Sequence, residues 1–150
     1  GEIKNTPLII ETPADAPRLL GVEVIRARSA VTPSMQKGKP HIQVEIELEG
    51  NIDDVQGYFD PERDPQLIKK IESRMAEIIE KEIRTVLYRC QRELNSDIFG
   101  FGATLNRSLP QEWKQLKERW DIEFPRLGVS LKIKAHIRLP GLAIKSVRKK

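Results

Sequence analysis

The 150-residue chain is predicted to be an α+β protein, a mostly antiparallel sheet with a long amphipathic helix packed on one face and a second, shorter helix. Three observations carry this. Ile42, Val44, Ile46 and Leu48 alternate with Gln43, Glu45, Glu47 and Glu49, the pattern of a strand with one apolar face and one row of carboxylates. Apolar residues then recur at steps of three and four from about Pro65 to Leu94, which at about 1.5 Å per residue makes a rod of roughly 45 Å. Alternation returns from Val129 to Leu139, with Ser130, Lys132, Lys134, His136 and Arg138 on the polar side. The strands need an apolar cover and the helix stripe needs a partner, so we assign each to the other rather than the helix to an exposed coiled-coil seam.

The elements follow in order. Residues 1–20 carry Pro7, Pro13 and Pro17 and read as an irregular lead-in, with a short strand possible at Leu8, Ile9 and Ile10. Val22–Val31 is β-favourable on both parities. The polar stretch Pro33–Pro40, with Lys37, Gly38 and Lys39, turns it into a hairpin with the strand Ile42–Glu49. Gly50–Asp64 reads as a loop, and Asp64-Pro65 as an N-cap followed by proline at the first helical position. The long helix has Leu67, Ile68, Ile71, Met75, Ile78, Ile79, Ile83, Val86, Leu87, Cys90 and Leu94 on its stripe, with Glu77–Lys81 and Glu80–Arg84 on the opposite, solvated side. Asp97-Ile98-Phe99-Gly100-Phe101-Gly102 is expected to be a structured bend. Ser108-Leu109-Pro110-Gln111 has the spacing of a capping box and opens the second helix, which carries Trp113, Leu116 and Trp120 and closes at Phe124-Pro125. Pro140-Gly141 ends the last strand, and 140–150 is a basic tail. The acidic row of Gln43–Glu49 and the basic row of Ser130–Arg138 are expected to pair if their strands are neighbours.

Composition narrows the function. At 150 residues the chain fits a single domain, 1–150. Its net charge of +4 is matched by Lys145, Arg148, Lys149 and Lys150 of the tail, and elsewhere basic and acidic residues are interleaved, which excludes a nucleic-acid footprint. The tail offers at most weak contact with anionic headgroups. The single cysteine, Cys90, has neither a disulfide partner nor neighbouring zinc ligands and reads as a buried thiol. No window approaches the ~18 apolar residues of a membrane span. The chain opens at Gly1 rather than Met, as expected of a fragment cut from a longer protein.

Catalytic and metal chemistry find little support. His41 and His136 stand alone on strands. Asp53 and Asp54, with Asp60, Glu62 and Asp64, read as a solvated acidic loop, because negative charge is favourable ahead of a helix N-terminus. Asp97–Gly102 lacks the lysine and preceding strand of a phosphate loop, and its Asp-Ile-Phe-Gly order has one residue more than the kinase motif. No catalytic, cofactor or metal residue is therefore assigned.

Asp97-Ile98-Phe99-Gly100-Phe101-Gly102, followed by Arg107, Pro110, Trp113, Lys114, Trp120, Asp121, Phe124 and Pro125, then Ile137-Arg138 and Gly141-Leu142, resembles the Ger(x)C family, the GerAC-type C subunits of spore germinant receptors. The resemblance covers about residues 65–145, the C-terminal domain of those subunits. It implies a lipoprotein whose secretory signal and lipid-modified cysteine lie outside this fragment. It also implies a complex with a polytopic A subunit and a B subunit at the spore inner membrane, the domain standing outside the bilayer, and a role in germination with no enzymatic activity or cofactor. Asp97, Phe99, Gly100, Phe101, Gly102, Trp113, Trp120 and Phe124 are signature positions. Core packing is their expected role, and an exposed aromatic among them is the candidate for an interface. A protein-interaction domain is the leading expectation. A nutrient pocket near Phe99–Gly102 and an enzyme built from the carboxylates of 53–64 are the competing ones.

Overall fold

A computed structural model describes residues 7–11, 19–55 and 65–138. Strands β1 (Pro7–Glu11), β2 (Leu19–Gln36), β3 (Lys39–Val55) and β4 (Gly128–Arg138) lie in that order in one sheet. Helix α1 (Pro65–Tyr88) continues as a π-helical turn, Arg89–Leu94. Three short helices follow, α2 (Phe101–Ser108), α3 (Pro110–Leu116) and α4 (Trp120–Glu123), with 3-10 turns at Lys117–Arg119 and Phe124–Arg126. The α+β class, the long helix and the shorter helical segment after it are as expected.

The sheet is antiparallel through its first three strands. Pro7 faces Glu23 and Glu11 faces Leu19, while β2 and β3 are joined by Lys37 and Gly38 alone, at φ 53° and 76°. Two successive positive φ values make the type I′ turn whose twist suits a hairpin. β4 differs. His41 meets Ser130 at 2.8 Å, Glu47 meets His136 at 3.5 Å, and both pairs are 89 residues apart (130 − 41 and 136 − 47), so the two strands advance together and are parallel. A parallel pair needs a long crossover, and the segment that carries α1 to α4 supplies it.

The chain forms two compact units, each taking a stretch of β2, β3, α1 and β4. One comprises Gly1–Arg28, Ile46–Ile79 and Ile133–Lys150, the other Ser29–Glu45 and Glu80–Lys132. In the first, Ile68, Ile71, Met75 and Ile79 of α1 are buried together with Val22, Val24, Leu48, Ala135 and Ile137 of the strands. Gly50 belongs to this packing. A Cβ there would come within 2.8 Å of Val22 Cγ1 and 3.0 Å of Met75 Cε, so glycine permits close approach rather than a turn. That corrects the expected loop, since β3 runs through Gly50 to Val55. On the outer face Glu47 stands 3.5 Å from both Arg28 and His136, and Glu49 4.0 Å from Arg26. The expected acid–base pairing of β3 with β4 is thus present at Glu47–His136.

In the second unit Ile42, Val44, Leu87, Cys90, Phe101, Leu105, Leu116, Phe124 and Leu127 are buried. The helical stripe is narrower here than the sequence suggests, with Val86 and Leu94 exposed at 43% and 60%. For Leu94 the π winding is the reason, because its wider turn keeps Cys90 inside and brings Gln91 inward while Leu94 swings out; Val86 lies before it, in the regular α-helix. The expected capping box is also absent. Ser108 ends α2, Leu109 holds the cap position of α3, and no side chain caps it. Within the lead-in the short strand expected at Leu8, Ile9 and Ile10 is present as β1, and β2 already begins at Leu19. Residues 1–6 and 12–18, the carboxylates Asp60, Glu62 and Asp64, and the segment from Leu139 onward lie outside the described residues.

Candidate functional site

The signature residues converge on one carboxylate in the second unit. After the π turn, Asn95 takes the left-handed conformation (φ 45°, ψ 51°) that ends a helix, and its side chain donates to the Asp121 carbonyl at 2.9 Å. The chain reverses, and the Gly100 N–H bonds the Asp97 carbonyl at 3.2 Å. Gly100 itself is left-handed (φ 72°), a conformation costly to any residue with a Cβ. This turn aims the Asp97 side chain at the start of α2, which the sequence reading took for part of the bend.

There Asp97 Oδ1 accepts from the Phe101 N–H at 2.9 Å, and Oδ2 accepts from the Gly102 N–H at 2.8 Å and from Trp120 Nε1–H at 3.2 Å. The first N–H groups of a helix have no partner within it, and an ionised acceptor also meets the positive end of the helix dipole. Asp97 therefore starts α2 and holds α4 against it.

The aromatic residues build on that bond. Trp113 meets Trp120 edge-on (5.2 Å between centroids, 73°), and Trp120 tilts onto Phe124 (5.7 Å, 47°), which is buried. Gly102 lies beneath them, where a Cβ would come within 2.8 Å of Trp113 Cη2, 3.2 Å of Trp120 Nε1 and 3.3 Å of Asp97 Oδ2. Phe101 is buried as well. Phe99 is different, stacked on Phe101 at 5.3 Å and 10° yet 39% exposed.

Asp97, Phe101, Gly102, Trp113, Trp120 and Phe124 thus form one interlocked cluster. Gly100 supplies its bend and Phe99 its outer surface. Sequence reasoning passed over Gln91, whose amide donates to the carbonyls of Phe124 and Leu127 at 2.9 and 3.0 Å. A glutamine beside Cys90 in an apolar stripe was the signal. It also passed over Ile98 and Ile122, exposed at 66% and 53%.

None of this arrangement resembles acid–base or nucleophilic machinery, since the carboxylate is spent on three donors. His41 is engaged by Ser130 and His136 by Glu47. Among the described residues no group of three or more His, Cys, Asp or Glu could hold a metal ion, and no helix is long and apolar enough to cross a membrane.

The family described as spore germination B3/GerAC-like, C-terminal, matches residues 1–141. The chain belongs to this family. The GerAC-like match reaches well beyond the signature, taking in β1 to β3 as well as the region from residue 65 onward. The domain is similar to spore germination protein KC of Bacillus subtilis (strain 168), 32% identical over 124 residues, which are 82% of this chain and 30% of that protein. It is also similar to spore germination protein YndF of the same organism, 24% identical over 119 residues, 79% of this chain and 29% of that one. The chain spans about a third of the length of these relatives. Its fold matches the crystal structure of the GerBC protein with a TM-score of 0.72 at 17% identity, covering 88% of this chain and 40% of that one. GerAC-like domains are parts of germinant-receptor subunits that take part in spore germination, and the family is not a known enzyme family.

Proposed function

We propose that this GerAC-like domain is a non-enzymatic, protein-binding part of a lipid-anchored C subunit, joining A and B subunits of a germinant receptor at the spore inner membrane while standing outside the bilayer. One observation carries the reading. Leu94, Ile98, Phe99 and Ile122 are exposed at 60%, 66%, 39% and 53%, and they project from segments that Asn95–Asp121 and Asp97–Trp120 hydrogen bonds hold together. Large apolar side chains kept in water on a fixed frame are a cost to an isolated domain and an asset at an interface. The frame explains the signature, whose buried aromatics and carboxylate set the position of the exposed ones.

The test is calorimetric titration of the domain with the soluble parts of its A and B subunits. Ile98→Glu with Ile122→Glu is expected to leave folding stability within about 0.5 kcal/mol, as at other surface positions, and to weaken binding at least tenfold. Unchanged binding by this variant, or a parent domain that binds neither subunit, would refute the reading. A saturable change in tryptophan fluorescence on adding nutrients, without subunit binding, would make the domain a sensor instead.

A further inference from the structure

The last strand of the sheet has an open side. In the first unit β4 contributes Ile133–Arg138, and among the described residues no strand lies beyond it. The Ile137 N–H donates to Glu72 Oε2 of α1 at 2.9 Å, so this residue points away from β3. The N–H and C=O of one strand residue face the same side and alternate along the chain, so Ile133 and Ala135 also present theirs outward. Glu72 closes the row at Ile137, and among the described residues nothing on this side pairs with the stretch before it. Edge strands of this kind are the templates used in β-strand addition.

Side chains along the same stretch specify what would pair. Lys134, His136 and Arg138 are exposed on the outer face, while Ala135 and Ile137 are buried on the other and Ile133 is partly exposed there. Among the described residues Lys134 and Arg138 have no ion partner, and His136 has only Glu47. On its inner side this stretch of β4 adjoins a strand whose Glu47 and Glu49 share that outer face, while Leu48 is buried. The same recipe is lacking on the open side.

We propose that the open edge of β4 at Ile133–Ala135 binds an extended acidic segment of another protein, with main-chain bonds to the edge and alternate carboxylates beside Lys134 and Arg138. This rests on the reading of the domain as one that binds protein, though on a surface separate from Ile98 and Ile122. Neighbouring strands lie about 4.8 Å apart, which brings carboxylates of the added strand within reach of both cations.

The probe is a labelled, end-blocked peptide with the sequence of residues 42–49, Ile-Gln-Val-Glu-Ile-Glu-Leu-Glu, titrated into the protein and followed by fluorescence anisotropy. Saturable binding is expected, about tenfold weaker when the glutamates are replaced by lysine. The double variant Lys134→Glu/Arg138→Glu, confined to exposed side chains, should exchange that preference. N-methylation of alternate peptide residues should abolish binding in one register and spare it in the other, because only one set of N–H groups faces the edge. Equal effects of the two methylation sets, no exchange on charge reversal, or no binding at all would overturn the proposal. So would sedimentation showing a dimer of the unliganded protein that the charge reversal dissolves, since the occupant would then be a second copy. The Ile98→Glu/Ile122→Glu protein should bind the peptide as the parent does, so failure at the edge and failure of the subunit-binding reading are told apart.

Discussion

Replacing Asp97 by alanine removes the acceptor for three donors at once. The Phe101 and Gly102 N–H groups and the Trp120 indole N–H all end on its two oxygens, at 2.9, 2.8 and 3.2 Å. A hydrogen bond to a charged group contributes about 1.5–3 kcal/mol, and a carboxylate at a helix N-terminus adds about 0.3–1 kcal/mol. The three bonds share one side chain and are only partly buried, so their full sum is not available. Phe101 and Gly102, however, are buried, and water cannot readily replace the carboxylate there. A loss of about 3–5 kcal/mol follows, a large part of the roughly 5–15 kcal/mol that holds a typical domain together. Asp97→Asn keeps the shape and one oxygen but turns an amide N–H₂ toward a donor, and should cost about 2 kcal/mol. Urea unfolding followed by tryptophan fluorescence and far-ultraviolet circular dichroism measures both, with a midpoint about 2 M lower expected for alanine at a typical slope. An alanine variant within about 0.5 kcal/mol of the parent, or an asparagine variant no better than alanine, would refute the claim that this carboxylate organises the cluster.

Two further outcomes follow from local geometry. Gln91→Ala should destabilise the protein by about 1–3 kcal/mol in the same unfolding assay, because it leaves the Phe124 and Leu127 carbonyls without the amide that bridges them. Lys37→Asn should stabilise it by about 0.5–1 kcal/mol, since Asn-Gly suits the two positive φ values of the hairpin turn better than Lys-Gly, and a lower melting temperature would contradict the turn assignment.

The strands from Ile42 and from Val129 and the helix from Pro65 were legible because burial on one face imposes a period on the sequence that packing then obeys. Their ends were less so. Gly50 looked like the start of a loop, yet a glycine that opens a turn and one that lets Val22 and Met75 close in are the same letter. Helix α2 was missed for a similar reason. Gly100 and Gly102 lower helix propensity, and what starts the helix is a carboxylate three residues before its cap position, an arrangement with no fixed pattern in sequence.

The sequence by itself determined the class of the fold, the amphipathic helix, the alternating strands and, through its signature, the family. Each depends on local period or on the identity of residues close in the chain. Only the tertiary structure decided that β4 runs parallel to β3, that Asp97 bonds an indole 23 residues away, that Phe99 stays partly in water while Phe101 is buried, and that Glu72 takes the N–H of Ile137. These are contacts between residues distant in the chain. Residue type limits which groups can make such contacts, but which of them meet is settled by how the elements pack.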